Sequence, residues 1–378
     1  MKIIISPDSF KECLPAWEVA RALADGWKTV LPHSNVVCLP VADGGEGTLE
    51  TLIHATKGTL FQKEVTGPLG KSVVASFGIL GNSNTAVIEM AQASGLEKVP
   101  AMMRNPLLTT TRGTGELIKA ALDYGVESVI VCLGGSATND GGTGMMAALG
   151  VKFFDHDNTE ISPTGYNLTN IRRIDTSNMD SRLQHTRVVA ACDVTNPLTG
   201  PQGATHIFGP QKGATPEMVN TLESGMQNYV LRLQDQCQKD IASIPGAGAA
   251  GGTGAALMAF MNAELKPGIA IVLDAINFHQ HLKYAALVIT GEGKMDSQSL
   301  NGKAPIGVAQ AAWQMGVPVI GVAGYVERQL DTLRENGFEA CFSVLNRPCD
   351  LATALEEGEL NLRQLGENLA GFYRAVLI

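Results

Sequence analysis

Short unbroken runs of apolar residues recur along this chain, and each ends in a polar loop, most of them glycine-bearing. The runs are Lys2–Ser6, Val36–Val41, Ser128–Val131, Val188–Ala191, Ala285–Ile289 and Val317–Val322. A run without alternation has no polar face to show to water, so it belongs in a parallel sheet covered by helices on both sides. Helical patterns do follow: Pro15 opens one through Trp17, Val19, Ala20 and Leu23, and Thr48–Thr56 forms another. This alternation predicts the α/β class. It also puts the chemistry in the loops after the strands, where open α/β sheets take their ligands.

The richest of these loops is Leu133–Gly144, LGGSATNDGGTG, between the run Ser128–Val131 and a small-residue helical pattern at Met145–Leu149. Gly134, Gly135, Gly141, Gly142 and Gly144 allow the backbone to turn back and approach a ligand closely. Ser136, Thr138 and Asn139 add hydrogen-bond donors, and Asp140 adds a carboxylate. The helix that follows is expected to aim free N–H groups into the loop, which favours an anion such as phosphate.

Other loops carry the same ingredients. Asp8, Ser9 and Lys11 follow the first run, and Asp43, Gly44, Gly45 and Glu46 follow the second. Asp193 and Asn196 follow Val188–Ala191, and Gly291, Glu292, Gly293, Lys294 and Asp296 follow Ala285–Ile289, with Lys303 beyond. Between Thr59 and Met90 the pattern changes to period-2 stretches separated by Gly-Pro and Gly-Asn turns, a β-meander. The stretch Arg104–Leu117 offers hydroxyls and two arginines that could grip a carboxylate or phosphate, or simply cap a helix. The termini share one α/β alternation, so the simplest topology is a doubly wound sheet split in sequence. Residues 1–66 and 285–378 form that domain, with a second domain inserted over 67–284.

Composition removes several function classes. A net charge of −9 argues against a nucleic-acid binder, which needs a basic stripe. The cysteines are 7 in number and scattered without a CxxC pair, the pattern of a reducing cytoplasm and not of a disulfide or zinc framework. The apolar start of MKIIISPDSF is too short for a signal peptide, and no later stretch reads as a membrane span. Gly70-Lys71-Ser72 is not a phosphate-binding P-loop, because the glycine needed five residues before Gly70 is Val65. The GxGxxG at 246, 248 and 251 follows no convincing strand, so close packing explains it better than a dinucleotide. No GxSxG is present for Ser-His-Asp hydrolysis.

What remains suits phosphoryl transfer, which needs lysines and Mg²⁺ to neutralise charge, N–H groups around phosphates, and a carboxylate to take a hydroxyl proton. Asp193 is the expected base, with Lys11 and Lys294 on the transferring phosphate oxygens and Asp296 as the metal ligand. The Asp193 and Asp296 roles could be exchanged, and Asp8 is the next candidate for either. Lys303 is a further phosphate partner.

The motifs IISPDSFKE (4–12), PVADGGEGT (40–48), RNPL, TTT and GTGEL (104–117), LGGSATNDGGTG (133–144) and CDVTNPL (192–198) lie in one order along the chain. FGPQKGA (208–214), GAAGGTGAAL (248–257) and TGEGKMDSQSLNGKAP (290–305) complete the series. Together they closely resemble the bacterial class I glycerate kinases. The resemblance implies two α/β domains, one flavodoxin-like and one likened to restriction endonucleases, with the site between them. It implies ATP-dependent phosphorylation of D-glycerate, at the 2-hydroxyl, in glyoxylate or aldarate catabolism. The alternatives are phosphorylation at the 3-hydroxyl, a nicotinamide-dependent oxidoreductase, or a sugar-acid-binding regulator without turnover. The Gly134–Gly142 loop would hold triphosphate or substrate. Asp8, Ser9, Gly44, Gly45, Asn196, Gly291, Glu292 and Gly293 are further binding candidates. Arg112 stands where the family more often has an aromatic residue and receives no substrate role. The expected partners are ATP and D-glycerate, with no nucleic acid or membrane, and a homo-oligomer is possible.

Overall fold

The computed structural model describes residues 1–237, 240–296, 304–327 and 330–377. Numbered along the chain, its strands are β1 (Lys2–Ile5), β2 (Asn35–Cys38), β3 (Thr59–Thr66), β4 (Ser72–Ile79), β5 (Thr85–Glu89), β6 (Ser128–Cys132) and β7 (Lys152–Phe154). They continue with β8 (Arg173–Asp175), β9 (Arg187–Ala191), β10 (Glu264–Lys266), β11 (Ala285–Met295), β12 (Val319–Val326) and β13 (Ala340–Ser343). The chain forms two compact units. One comprises Met1–Asp43, Glu50–Lys57 and Pro267–Ile378, the other Gly44–Leu49 and Gly58–Lys266.

The first unit is a parallel sheet in the order β2-β1-β11-β12-β13. Counted within the unit this is 2-1-3-4-5, the flavodoxin-like order, whose winding reverses between β1 and β11. Ile3, Ile4 and Ile5 are fully buried, as an all-apolar central strand requires. Ile3 and Ile5 pack with Val19, Leu23 and Trp27 of the helix Ala16–Val30 and with Leu362 and Leu369 of the helix Gly358–Leu377. The helix Gly268–Ala275 packs against Ala304–Gln314 through Ile269 and Gly307. That contact brings the stretch 267–284 into this unit, so the return crossing lies at 267 and not at 285 as drawn from the pattern.

The second unit is a mixed six-stranded sheet, β10-β9-β6-β5-β4-β3. From β10 to β5 the pairing is parallel, and β5-β4-β3 is the antiparallel meander expected from the period-2 stretches. β3 pairs with β4 along its whole length, so the second unit takes up the chain at 58, where the pattern changes, and not at 67. A small antiparallel pair, β7-β8, sits apart from this sheet. The core gathers Val129, Val131, Val188 and Ala190 of the sheet with Leu117, Ala121, Met145 and Tyr229 of the covering helices. No helix among the described residues is long and apolar enough to cross a membrane.

Candidate active site

In the first unit the ends of β1, β2 and β11 bring separate loops together. Ser6 N–H donates to the Ile289 carbonyl at 2.7 Å and Asp8 N–H to the Gly291 carbonyl at 2.8 Å, so the chain beyond β1 stays alongside β11. On the other flank Leu39 N–H bonds the Ile5 carbonyl and Val41 N–H the Pro7 carbonyl. Asp8 is therefore held between Asp43 and Glu292, at the point where the sheet's winding reverses. Burial, reinforced by the Asp43 and then the Glu292 carboxylate, pushes the half-buried Asp8 up to about 7. The Ser9 N–H, which donates to Asp8 Oδ1 at 2.6 Å, and the charge of Lys11 oppose that rise without cancelling it.

Ser9, exposed Lys11, Gly291 and Gly293 belong to the same edge. A Cβ on Gly293 would come into ordinary contact with the Phe10–Lys11 backbone. Lys294 is paired with Asp296 at 2.7 Å, its side chain largely exposed and that of Asp296 mostly covered. The pairing holds the Lys294 ammonium above the usual lysine range. Lys303 lies outside the described residues.

In the second unit the loop 133–144 leaves β6 beside the end of β9, with Leu133 N–H donating to the Ala191 carbonyl at 3.3 Å. The expectation of free N–H groups at the head of the next helix does not hold. Asp140 is fully buried and takes those donors itself. Its Oδ1 accepts from Gly142 N–H at 3.1 Å, and its Oδ2 from Gly144 N–H at 3.3 Å and from Thr111 N–H and Oγ1–H at 2.8 Å each. Met145 N–H goes to Thr111 Oγ1 at 2.8 Å, and Thr143 N–H to the Asp140 carbonyl at 3.1 Å. Desolvation raises the Asp140 pKa even so. The Thr111 hydroxyl does grip a carboxylate, as the sequence suggested for this stretch, but the carboxylate is the chain's own. The Arg112 side chain makes an i,i+4 pair with Glu116 at the surface.

Gly141 and Gly142 adopt left-handed φ of 64° and 72°, and the loop rests on a second left-handed turn at Ala250–Gly252. Gly141 N–H donates to the Gly251 carbonyl at 2.9 Å. At Gly251 any Cβ would collide with the Thr138 carbonyl, so this glycine of the GxGxxG serves packing on the loop, while Gly246 lies against Leu265 and Cys192 and Gly248 against the Pro197 carbonyl. The accessible part of the loop is its start: Gly135 is exposed and Gly134 half-buried. A Cβ on Gly134 would come within 2.9 Å of the Gly45 Cα, so the Gly44–Gly45 loop and the Gly134–Gly135 loop lie against each other. Asp193 is exposed, two residues beyond β9, and Asn196 Nδ2 ties to the Gln202 carbonyl at 2.8 Å.

Lys212 escaped the sequence reading. It is 2% exposed, with Nζ donating to Ser136 Oγ at 2.9 Å and to the Thr138 carbonyl at 2.7 Å. Burial lowers it to about 7, against the opposing pull of Asp140. Its only sequence signal is its place in FGPQKGA, in a loop with no period to mark the lysine as buried. Glu89 at the end of β5 was missed as well; it is buried, and its Oε1 accepts from Leu49 N–H at 2.7 Å.

Asp8 binds its proton more tightly in the folded chain, about 7 against 3.8. Its stabilising contribution is therefore complete below pH 3.8 and is lost as the pH rises through 7. All three tryptophans, Trp17, Trp27 and Trp313, lie in this unit, so their fluorescence follows its unfolding alone. Urea midpoints of Asp8→Asn relative to the parent chain should rise between pH 5 and pH 8. A difference independent of pH would remove the carboxylate crowding from the account.

Known proteins resemble this chain from end to end. A model of the glycerate kinase family matches residues 3–374. Glycerate kinase of Bacillus subtilis (strain 168) is 50% identical over 370 residues, 98% of this chain and 97% of that one. Glycerate 2-kinase of Escherichia coli (strain K12) is also 50% identical over 370 residues, 98% of each chain. A crystal structure from Salmonella typhimurium LT2, designated glycerate kinase 2, matches with a TM-score of 0.92 at 48% identity, covering 100% of this chain and 99% of that one. With the sheets, loops and motifs all inside these matches, the chain belongs to the glycerate kinase family.

Proposed function

We propose that this chain transfers the γ-phosphoryl group of ATP to the 2-hydroxyl of D-glycerate, giving 2-phospho-D-glycerate and ADP. The observation that carries the reading is the full-length identity to relatives named glycerate kinase and, in one case, glycerate 2-kinase. In this reaction the hydroxyl oxygen bonds to the γ-phosphorus, the bond from that phosphorus to the β-γ bridging oxygen breaks, and the hydroxyl proton needs an acceptor. Asp193 is the base we assign: it is a solvent-reached carboxylate just beyond β9, the strand that pairs with β6 ahead of the glycine loop. Gly134–Ser136 with Gly44 and Gly45 supply closely approaching backbone for triphosphate or glycerate. Lys11 and Lys294 are assigned to the phosphate oxygens, where their charge matters most as the transferring group loosens.

A divalent cation fits the donor set at the edge of the first unit. Burial, with the Asp43 and Glu292 carboxylates adding to it, holds a proton on Asp8 near neutrality, and Mg²⁺ bound there would relieve the repulsion among the three. These residues suit it better than Asp296, whose carboxylate already has Lys294 as its counter-ion. Bound Mg²⁺ would neutralise the charge of the phosphates.

An ADP-release assay with Mg-ATP and D-glycerate, with ³¹P and ¹H NMR of the product, tests the reading. Phosphate on C2 is expected, and phosphate on C3 would overturn the regiochemistry. Release only with another hydroxy acid would replace the substrate. Asp193→Asn should lower kcat by about 10²–10⁴-fold and leave the KM for ATP nearly unchanged. Turnover close to that of the parent chain would remove Asp193 as base.

A further inference from the structure

Several buried polar atoms around the glycine loop lack partners that such atoms normally have. The Lys212 ammonium has three hydrogens to donate and gives two of them, to Ser136 Oγ and the Thr138 carbonyl. Ser136 Oγ accepts from the lysine, so its own proton points elsewhere, and no acceptor for it exists among the described residues. Thr138 Oγ1 and Asn139 Oδ1, on residues with no exposure, are also without partners among the described residues. Asn139 is held through its other end, Nδ2 donating to Thr205 Oγ1 at 3.0 Å. The first exposed residue beside this cluster is Gly135, next to Ser136 in the chain.

We propose that Lys212 is a positioning residue that fixes Ser136 as an outward hydrogen-bond donor to an anionic oxygen of the ligand, a carboxylate or phosphate oxygen. The proposal rests on the reading that the loop beginning at Gly134 holds one of the two substrates. The chemistry is that of hydrogen-bond polarity. An ammonium can only donate, so it pins the Ser136 oxygen as acceptor and leaves the hydroxyl proton for the ligand. A neutral amine can accept instead, and the hydroxyl then turns inward to it.

Lys212 sits on the one-turn helix Pro210–Lys212. The titratable and charged groups on the segments around it are few. Asp140 in the loop favours the protonated lysine. Arg104 packs against the neighbouring Gly213. His206, on the helix Ala204–Phe208, stands 4.0 Å from Glu223 on the helix Pro216–Cys237. Lys212 titrates near neutrality, so the donor is present below pH 7 and withdrawn above it.

The test is a double-variant cycle on the full chain with Ser136→Ala, Lys212→Met and both together, reading KM for glycerate and for Mg-ATP separately from pH 6 to 9. Ser136→Ala should raise one of the two KM values about tenfold or more at pH 6, and which one moves tells whether the anion is the carboxylate or the triphosphate. Lys212→Met should raise the same KM by a similar factor, and the double variant no further, because both changes remove one donor. Losses that multiply in the double variant, or a Ser136→Ala effect that Lys212→Met does not reproduce, would overturn the role of Lys212. Unchanged values for both substrates in Ser136→Ala would instead overturn the underlying assignment of the loop. If Lys212→Met does not fold, the parent chain and Lys212→Arg carry the test. The parent KM should climb about tenfold above pH 7 while that of Lys212→Arg, which stays charged, remains level. A parent KM that does not change from pH 6 to 9 would overturn the proposal.

Discussion

A carboxylate shut away from water governs the shape of the second unit's ligand edge. Asp140 costs several kcal/mol to bury as an ion unless donors surround it, and four do. Those donors belong to two separate segments, so satisfying one side chain fastens the threonine stretch at 109–111 to the glycine loop and to the head of the next helix. Thr111 extends the tie, since its hydroxyl donates to Asp140 while accepting from Met145 N–H. Gly141 and Gly251 then join the loop to the left-handed turn at 250–252. With the far half of the loop fastened in this way, only the near half, from Gly134 to Ser136, is left for the ligand that we propose it holds.

The first unit uses carboxylates in the opposite manner. Asp8 receives one backbone donor and faces two further carboxylates, so its environment is repulsive where that of Asp140 is saturated. Both acids are pushed toward the neutral form by burial, and the shift alone does not tell their roles apart. The partners do. A buried acid with both oxygens supplied by donors from within is part of the architecture, whereas an acid crowded by its own kind at a topological switch point suits the cation that we propose there. Lys212 stands between these cases, half satisfied by the loop that it supports.

Much of this was legible in the sequence, for definable reasons. Unbroken apolar runs identified β1, β6, β9, β11 and β12, because burial on both faces admits no polar alternation. The same logic placed Asp8, Gly134 and Asp193 just beyond strand ends, whereas Gly291–Lys294, read as loop, lie inside β11, which runs on to Met295 paired with β12. Period-2 alternation identified the meander, but it could not say which sheet β3 joins, so the unit boundary fell nine residues late. The helices over 267–284 were assigned to the wrong unit because packing partners such as Ile269 and Gly307 leave no local mark. The loop's glycines and Asp140 were seen, but not that Asp140 would occupy the N–H groups reserved for a ligand. That outcome depends on Thr111, 29 residues away. Lys212 was invisible for a related reason: a lysine in a polar loop reads as solvated until the fold closes over it.

The central claim is that Asp140 fastens the glycine loop, and amide hydrogen exchange tests it most directly. In Asp140→Asn an amide group replaces one acceptor and sets its own N–H against the chain's donors. The account predicts that peptides covering 109–113 and 138–146 exchange about tenfold or more faster in the variant, with the sheet of the first unit unaltered. Unchanged protection across both segments would contradict it.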